Sequence, residues 1–166
     1  MERPKFIKHY SEIQEEDNNH YPGSDEKMSF GSPFGKFFGL QRIGIHHEIL
    51  PPGRRTSWPH AESTEEEFVY VIEGEPECWI DGNLHKLVPG DGVGFPAGTG
   101  ICHTFLNNTE KNVRLLVVGE RREDDKIYYP KNPERKNQIG NRWWEDVPQR
   151  SFGPHDGKPD RLRKSS

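Results

Sequence analysis

Between residues 37 and 119 the chain alternates short apolar runs with turn-forming residues, and this rhythm constrains the fold more than any other feature. Asp81-Gly82, between two such runs, is a strong hairpin signal. Many short strands at this close spacing predict an all-β sandwich or barrel. The candidate strands are Gly39–Ile49, Thr56–His60, Glu67–Glu73, Glu77–Ile80, Leu84–Leu87, Gly92–Phe95, His103–Asn107 and Val113–Gly119.

Polar segments flank this region on both sides. We interpret residues 1–36 as an N-terminal arm, residues 37–119 as the barrel and residues 120–166 as a C-terminal extension that packs on the barrel or on a partner subunit. A short helix is expected around Ile139–Asp146. Within it, Trp143 and Trp144 either anchor the extension on the barrel or across a dimer, or one packs locally while the other caps the surface.

Composition and charge exclude several classes of protein. The net charge is −4, whereas a nucleic-acid-binding domain usually has a basic face. The chain contains no run of about 18 apolar residues, so we expect no membrane span. Because its start has no hydrophobic signal core, we expect a cytoplasmic protein. Cys78 and Cys102 form no metal-binding or disulfide pattern and are expected to be buried free thiols.

Two histidines and two carboxylates stand at strand positions in the central region. His60 and Glu62 are two residues apart and therefore share a face of a strand. Glu67 joins them if the chain turns after Glu62 and returns on a neighbouring strand. His103 begins a further strand, and strand alternation directs Cys102 to the opposite face, which argues against a Cys-His nucleophile pair.

A mixed nitrogen and oxygen donor set of this kind suits a divalent transition metal. We therefore predict His60, Glu62, Glu67 and His103 as ligands of zinc, iron, manganese or nickel. In the alternative, the pocket holds no metal and these side chains bond to one another. Glu62 has a second alternative. It could be a solvent-exposed member of the acidic run that continues with Glu65 and Glu66.

These stretches resemble the two sequence motifs of the cupin superfamily over roughly residues 40 to 119. Six residues separate Glu67 from Gly74, and five separate Gly90 from Pro96. Three residues separate His103 from Asn107. The second stretch is also similar to a group of small bacterial cupins of mostly unassigned function, some labelled sugar-phosphate isomerase. The resemblance implies a double-stranded β-helix, or jelly-roll, barrel that binds a small molecule and forms a homodimer.

The chain departs from the cupin pattern in three places. Six residues separate Gly53 from His60 where the pattern has five, and four separate Gly98 from His103 where it has two. The third departure is Glu62, which stands where the first motif has its second histidine. Its position on the strand still allows it to bind a metal, but its charge and length leave the metal's identity open.

Three functions are compatible with these residues. The first is a metal-dependent enzyme acting on a small polar, sugar-like or oxygen-rich metabolite, as an isomerase or epimerase. In it Glu62 or Glu67, if not bound to metal, would carry the proton. The second is an iron-dependent dioxygenase, and the third is a non-catalytic cupin that binds a small molecule. Because one fold hosts many chemistries, the fold cannot choose among them.

Overall fold

Short strands separated by Gly, Pro and Asp turns make up most of the regular structure in the computed structural model, which describes residues 3–163. The strands are β1 Phe30–Pro33, β2 Ile43–Leu50, β3 Ala61–Glu62, β4 Glu67–Glu73, β5 Glu77–Ile80, β6 Asn83–Lys86, β7 Gly92–Phe95, β8 His103–Leu106, β9 Val113–Glu120 and β10 Ile127–Tyr128. The helices are α1 Phe34–Phe37, α2 Arg135–Ile139 and α3 Asp160–Arg163, with 3-10 turns at Tyr10–Glu12 and Gly140–Arg142. No helix among residues 3–163 has the length and apolar character needed to cross a membrane.

The strands form antiparallel sheets, as the predicted all-β jelly roll requires. The largest sheet has five strands in the order β1-β2-β9-β4-β7, a second has the order β6-β5-β8, and β10 pairs with β3. Hydrogen bonds between His60 and His103 connect the start of β3 to β8. Within residues 3–163 the ladders do not join into a closed ring, so the barrel consists of sheets that face each other.

The core lies between the five-stranded and three-stranded sheets. Val69 and Leu115 of the larger sheet pack in one cluster with Cys78 and Phe105 of the smaller one. Strand alternation then determines the other inner positions of β4 and β9, because every second residue shares a face. This alternation places Glu67 on the core side of the five-stranded sheet, two residues before Val69.

The β5–β6 hairpin confirms the turn predicted at Asp81-Gly82. Ile80 pairs with Asn83, and the two residues between them have φ angles of 45° and 86°. These values match a type I′ turn, which needs positive φ at both central positions.

The predicted strand Thr56–His60 is wrong, because this segment is irregular between bridges at Arg55 and His60. Two side-chain effects explain the break in the ladder. The Thr104 hydroxyl donates to the Ser57 carbonyl at 2.7 Å, and Pro59 has no N–H to give.

The segments outside the predicted barrel are built onto its sheets. Strand β1, from the N-terminal arm, forms the edge of the five-stranded sheet. Strand β10, from the C-terminal extension, pairs with β3 of the barrel. The predicted helix at Ile139–Asp146 is misplaced, since α2 ends at Ile139, before Gly140 with its φ of 56°. Trp143 and Trp144 are both buried in clusters with barrel residues, so they anchor the extension and neither caps the surface.

Candidate metal centre

His60 and His103 are held side by side by the backbone. The N–H of His60 donates to the carbonyl of His103 at 3.2 Å, and the N–H of His103 donates back at 2.9 Å. This is the hydrogen-bonded pair of an antiparallel ladder, in which opposite side chains project to the same side. Their ring centroids are 4.8 Å apart, so the two imidazoles face the same space.

In each imidazole, Nδ1 forms a hydrogen bond with a backbone carbonyl. Nδ1 of His60 donates to the Trp58 carbonyl at 2.9 Å, and Nδ1 of His103 donates to the Ile101 carbonyl at 3.3 Å. A carbonyl only accepts, so these contacts favour a proton on Nδ1. This leaves the lone pair of Nε2 free on His60, whereas Nε2 of His103 contacts a carboxylate oxygen of Glu67. Metal-binding histidines are commonly oriented by such a bond from the nitrogen that does not bind the metal.

Glu67 completes a set of three donors. Its Oε1 lies 3.2 Å from Nε2 of His103, and one donor atom from each of His60, Glu67 and His103 lies within 4.8 Å of the others. Two neighbouring ligands about 2.1 Å from one ion are roughly 3 Å apart. The spacing and chemistry of the set therefore fit a divalent ion, and these three residues could hold one.

The protonation of the set also favours metal binding. Burial, and then the charge of His103, lower the pKa of His60 to about 4, so this imidazole is neutral at pH 7. Burial by itself would raise the pKa of Glu67, but its contact with the His103 imidazole outweighs burial and lowers the pKa. A neutral imidazole and an ionised carboxylate are the forms that bind metals.

Glu62 is the predicted ligand that is not a member of this set of three. It lies in β3, two residues after His60, but its carboxylate is grouped with those of Glu65 and Asp125. Burial, and then the charges of Glu67 and Glu65, raise the pKa of Glu62 to about 8. The assignment of Glu62 as a fourth ligand or as a catalytic proton carrier stays a prediction.

Two polar residues on the inner face of β2 were not predicted as site residues. His46 pairs with Val117 and Glu48 with Leu115, and Val117 and Leu115 belong to the core side of β9. The Ser29 hydroxyl donates to Glu48 at 2.6 Å, and burial raises the pKa of Glu48 to about 7. Counting back from the buried Leu50 in steps of two identifies Glu48 and His46 as inward-facing residues. The adjacent pair His46 and His47 does not by itself show which histidine faces inward.

Two glycines leave room beside Glu67. Gly119 of β9 pairs with both Glu67 and Gly44, so a row of small residues lies next to the carboxylate. A Cβ at Gly119 would meet only the Glu66 carbonyl, at 3.7 Å. A Cβ at Gly44 would lie 3.5 Å from Nε of Arg121, which places a guanidinium at the edge of this space.

Neither cysteine belongs to the set of possible metal ligands. Both are buried and free, as expected. Cys102 packs on the side opposite His103, in a cluster with Trp79 and Trp144. Burial raises the pKa of its thiol to about 12, so it is protonated at neutral pH and cannot act as a thiolate nucleophile.

Comparisons with known proteins agree with this architecture. Residues 46–119 match the family described as Cupin domain. A solved structure described as a sugar phosphate isomerase of the cupin superfamily, from Silicibacter pomeroyi, is 36% identical with a TM-score of 0.59. The match covers 61% of this chain and 64% of that protein, slightly less than two thirds of its length.

Two further relatives are similar at lower identity. A solved structure described as a candidate sugar phosphate isomerase, from Acidithiobacillus ferrooxidans, is 28% identical with a TM-score of 0.67, and the match covers 77% of this chain and 83% of that one. The protein named polyketide synthase CurC, from Streptomyces cyaneus, is 29% identical over 69% of this chain and 68% of its own length.

Proposed function

Because residues 46–119 form a cupin domain and the chain belongs through it to the cupin superfamily, we propose that it is a metal-dependent isomerase acting on a small, oxygen-rich metabolite such as a sugar phosphate. The convergence of His60, Glu67 and His103 carries this proposal. Two solved structures described as sugar phosphate isomerases support the substrate class. When bound, a divalent ion would polarise a carbonyl or hydroxyl oxygen of the substrate.

The inner face supplies a group that can move the proton of such a reaction. Isomerisation of a hydroxy-carbonyl compound removes a proton from one carbon and returns one to its neighbour, so no net acid or base is consumed. We assign Glu48 to this step because it faces the core side and its pKa, raised by burial to about 7, suits transfer in both directions. The sequence predicted Glu62 or Glu67 as the carrier, provided that the residue does not bind the metal.

Arg121 is the group we propose for the phosphate. It lies beside Gly44 at the edge of the space next to Glu67, and its charge acts on His46. A guanidinium presents paired donors that match phosphate oxygens. We expect Arg121→Gln to raise KM for a phosphorylated sugar and to leave KM for its unphosphorylated form unchanged. Arg122→Gln is the matched control, because Arg122 is exposed and paired with Asp124.

The decisive experiment combines metal analysis with turnover. The purified, untagged chain is loaded with zinc, manganese, nickel or iron and incubated in D2O with a panel of aldose and ketose phosphates. Deuterium at the carbon next to the carbonyl, seen by NMR, is the expected result, because the exchanged proton comes from solvent. Glu48→Gln should lose exchange while keeping its metal. Exchange by a chain without a bound metal would contradict the proposal.

The same three ligands favour a second candidate, an iron-dependent dioxygenase. Two histidines and one carboxylate with open positions are the typical ligand set of non-haem iron oxygenases. Near-stoichiometric iron and substrate-dependent oxygen uptake would support this candidate over the isomerase. If the chain binds ligands from the panel but neither exchange nor oxygen uptake occurs, the non-catalytic cupin is the function that remains.

We also propose that the protein is a homodimer. The outer face of β4 exposes Phe68, Tyr70 and Ile72 at 45%, 39% and 41%, and contiguous apolar surface of this kind marks interaction sites. Light scattering after size exclusion should give twice the mass of one chain, and Phe68→Glu should give a monomer. Val88→Glu, at an exposed residue with 52% accessibility outside β4, is the control. A monomeric wild type would contradict the proposal.

A further inference from the structure

A second group of possible ligands lies next to the histidine set. One carboxylate oxygen each from Glu62, Glu65 and Asp125 lies within 4.8 Å of the others. Glu62 belongs to β3, Glu65 to the turn before β4, and Asp125 to the segment before β10. Because β10 pairs with β3, the antiparallel ladder brings Asp125 over the turn that carries Glu65.

Asp125 is the residue that distinguishes this cluster from an ordinary acidic surface. It is only 1% exposed, and its Oδ1 accepts from the backbone N–H groups of Ser63, Thr64 and Glu65 at 3.1, 2.9 and 3.3 Å. The Ser63 and Thr64 hydroxyls also donate to Oδ1 at 3.3 and 3.2 Å. These bonds fix the orientation of the carboxylate.

The other oxygen of Asp125 has no comparable partner. Oδ2 is buried and accepts no hydrogen bond within residues 3–163. A buried acceptor without a partner costs about 1–3 kcal/mol, and more when it is charged. A cation would satisfy this oxygen, and Glu62 and Glu65 each place a carboxylate oxygen within 4.8 Å of one donor atom of Asp125.

Glu65 is also held by the backbone at the edge of the cluster. The N–H of Arg122 donates to its carboxylate at 2.6 Å. The carboxylates of Glu65 and Asp125 are therefore both held in place by backbone N–H groups.

We propose that Glu62, Glu65 and Asp125 form a second cation site, which takes a hard divalent ion such as Ca²⁺ and is separate from the site of His60, Glu67 and His103. All three donors are oxygens, the ligands preferred by Ca²⁺, Mg²⁺ and Mn²⁺, whereas the neighbouring site offers two nitrogens. A bound ion would tie the β3–β4 turn to the segment before β10. The proposal does not depend on the enzymatic activity.

The test measures Ca²⁺ binding by isothermal titration to the full chain carrying His60→Ala and His103→Ala, which removes the nitrogen ligands. We expect about one Ca²⁺ per chain and a higher Tm in its presence, because an ion that binds only the folded state stabilises it. Mn²⁺ should compete with Ca²⁺ and give an electron paramagnetic resonance signal of bound ion.

Glu65→Gln is the variant that tests the ligand set. It removes one charge from a partly exposed side chain and should lower Ca²⁺ affinity about tenfold or more. Glu66→Gln is the matched control, since Glu66 is the exposed neighbour outside the cluster, and its affinity should equal that of the parent. Asp125→Asn serves as the second variant, with circular dichroism reporting whether the turn that Oδ1 organises is retained.

Glu62→Gln separates the two sites. Our proposal requires this variant to lose Ca²⁺ and to retain zinc at the histidine site of the otherwise wild-type chain. Loss of zinc with Ca²⁺ binding retained would make Glu62 the fourth ligand of the first site and would overturn the second one. Absence of Ca²⁺ and Mn²⁺ binding at millimolar concentrations by the folded chain, or equal affinities for the Glu65 and Glu66 variants, would also overturn it.

Discussion

His60 and His103 are joined by two reciprocal backbone hydrogen bonds, 3.2 and 2.9 Å long. These bonds form an isolated bridge that is not part of a longer ladder. The pair fixes both imidazoles before any ion binds, because the backbone and the two Nδ1 contacts set their positions. Preorganised ligands bind an ion with less loss of conformational entropy.

We therefore expect the double substitution His60→Ala and His103→Ala to abolish zinc binding at this site. A single remaining carboxylate, Glu67, should not hold zinc against water, so affinity should fall by more than about a hundredfold. Elemental analysis after dialysis against zinc measures the effect. His85→Ala, at an exposed strand position, is the control and should keep full occupancy. Stoichiometric zinc in the double variant would place the metal elsewhere.

Gly119→Val should block the space beside Glu67 without removing a ligand. The first added carbon meets only the Glu66 carbonyl at 3.7 Å, so the strand should tolerate the substitution, while the branched methyls occupy room next to the carboxylate. We expect unchanged zinc occupancy and loss of binding or turnover of the small-molecule ligand. Gly119→Ala, which adds only this first carbon, is the control and should keep ligand affinity. Full ligand affinity in the Gly119→Val variant would place the ligand elsewhere.

Glu48 should make folding stability depend on pH. Burial raises its pKa in the folded chain to about 7 from the ordinary 4.5, so the folded state holds the proton more tightly than the unfolded state. Its contribution is fully present below about pH 4.5 and is lost as the pH rises through about 7. The maximum loss is about 3 kcal/mol.

Urea unfolding at pH 5 and pH 8, with chelator present, measures this dependence. Glu48→Gln keeps an acceptor for the Ser29 hydroxyl but cannot ionise, so its free energy of unfolding should change less between the two pH values than that of the wild type. An equal change in both proteins would show that Glu48 is not the responsible group. Glu75→Gln is the comparison, since Glu75 lies in the turn between β4 and β5.

Trp144→Ala should destabilise the whole fold, because the C-terminal extension contributes to the core. Trp144 is 7% exposed and packs with Ala61, Trp79 and Leu106. Loss of a buried tryptophan of this kind costs about 3–5 kcal/mol, which denaturant unfolding measures directly. Phe152→Ala, in the same extension but 38% exposed, should cost less than about 1.5 kcal/mol. Similar losses in both variants would mean that Trp144 is no structural anchor.

Local patterns were sufficient where neighbouring residues decide the conformation. The strands Glu67–Glu73, Glu77–Ile80 and Gly92–Phe95 have the predicted bounds, because period-two alternation and the flanking turn residues act over a few positions. Thr56–His60 failed because its hydrogen bonds go to the Thr104 side chain, on a strand far along the chain. The helix predicted at Ile139–Asp146 instead ends at Ile139, because Trp143 is extended and both tryptophans that follow are buried.

The sequence by itself determined the all-β pattern, the Asp81-Gly82 hairpin and the two histidines and Glu67 as members of one candidate site, since spacing along strands sets which side chains share a face. Only the tertiary structure decided that Glu62 is grouped with Asp125, that Glu48 faces the core and that β1 completes the large sheet. Each of these depends on the register between segments distant in the chain. Register follows from how whole sheets bury their apolar faces together, which residue spacing within one segment does not encode.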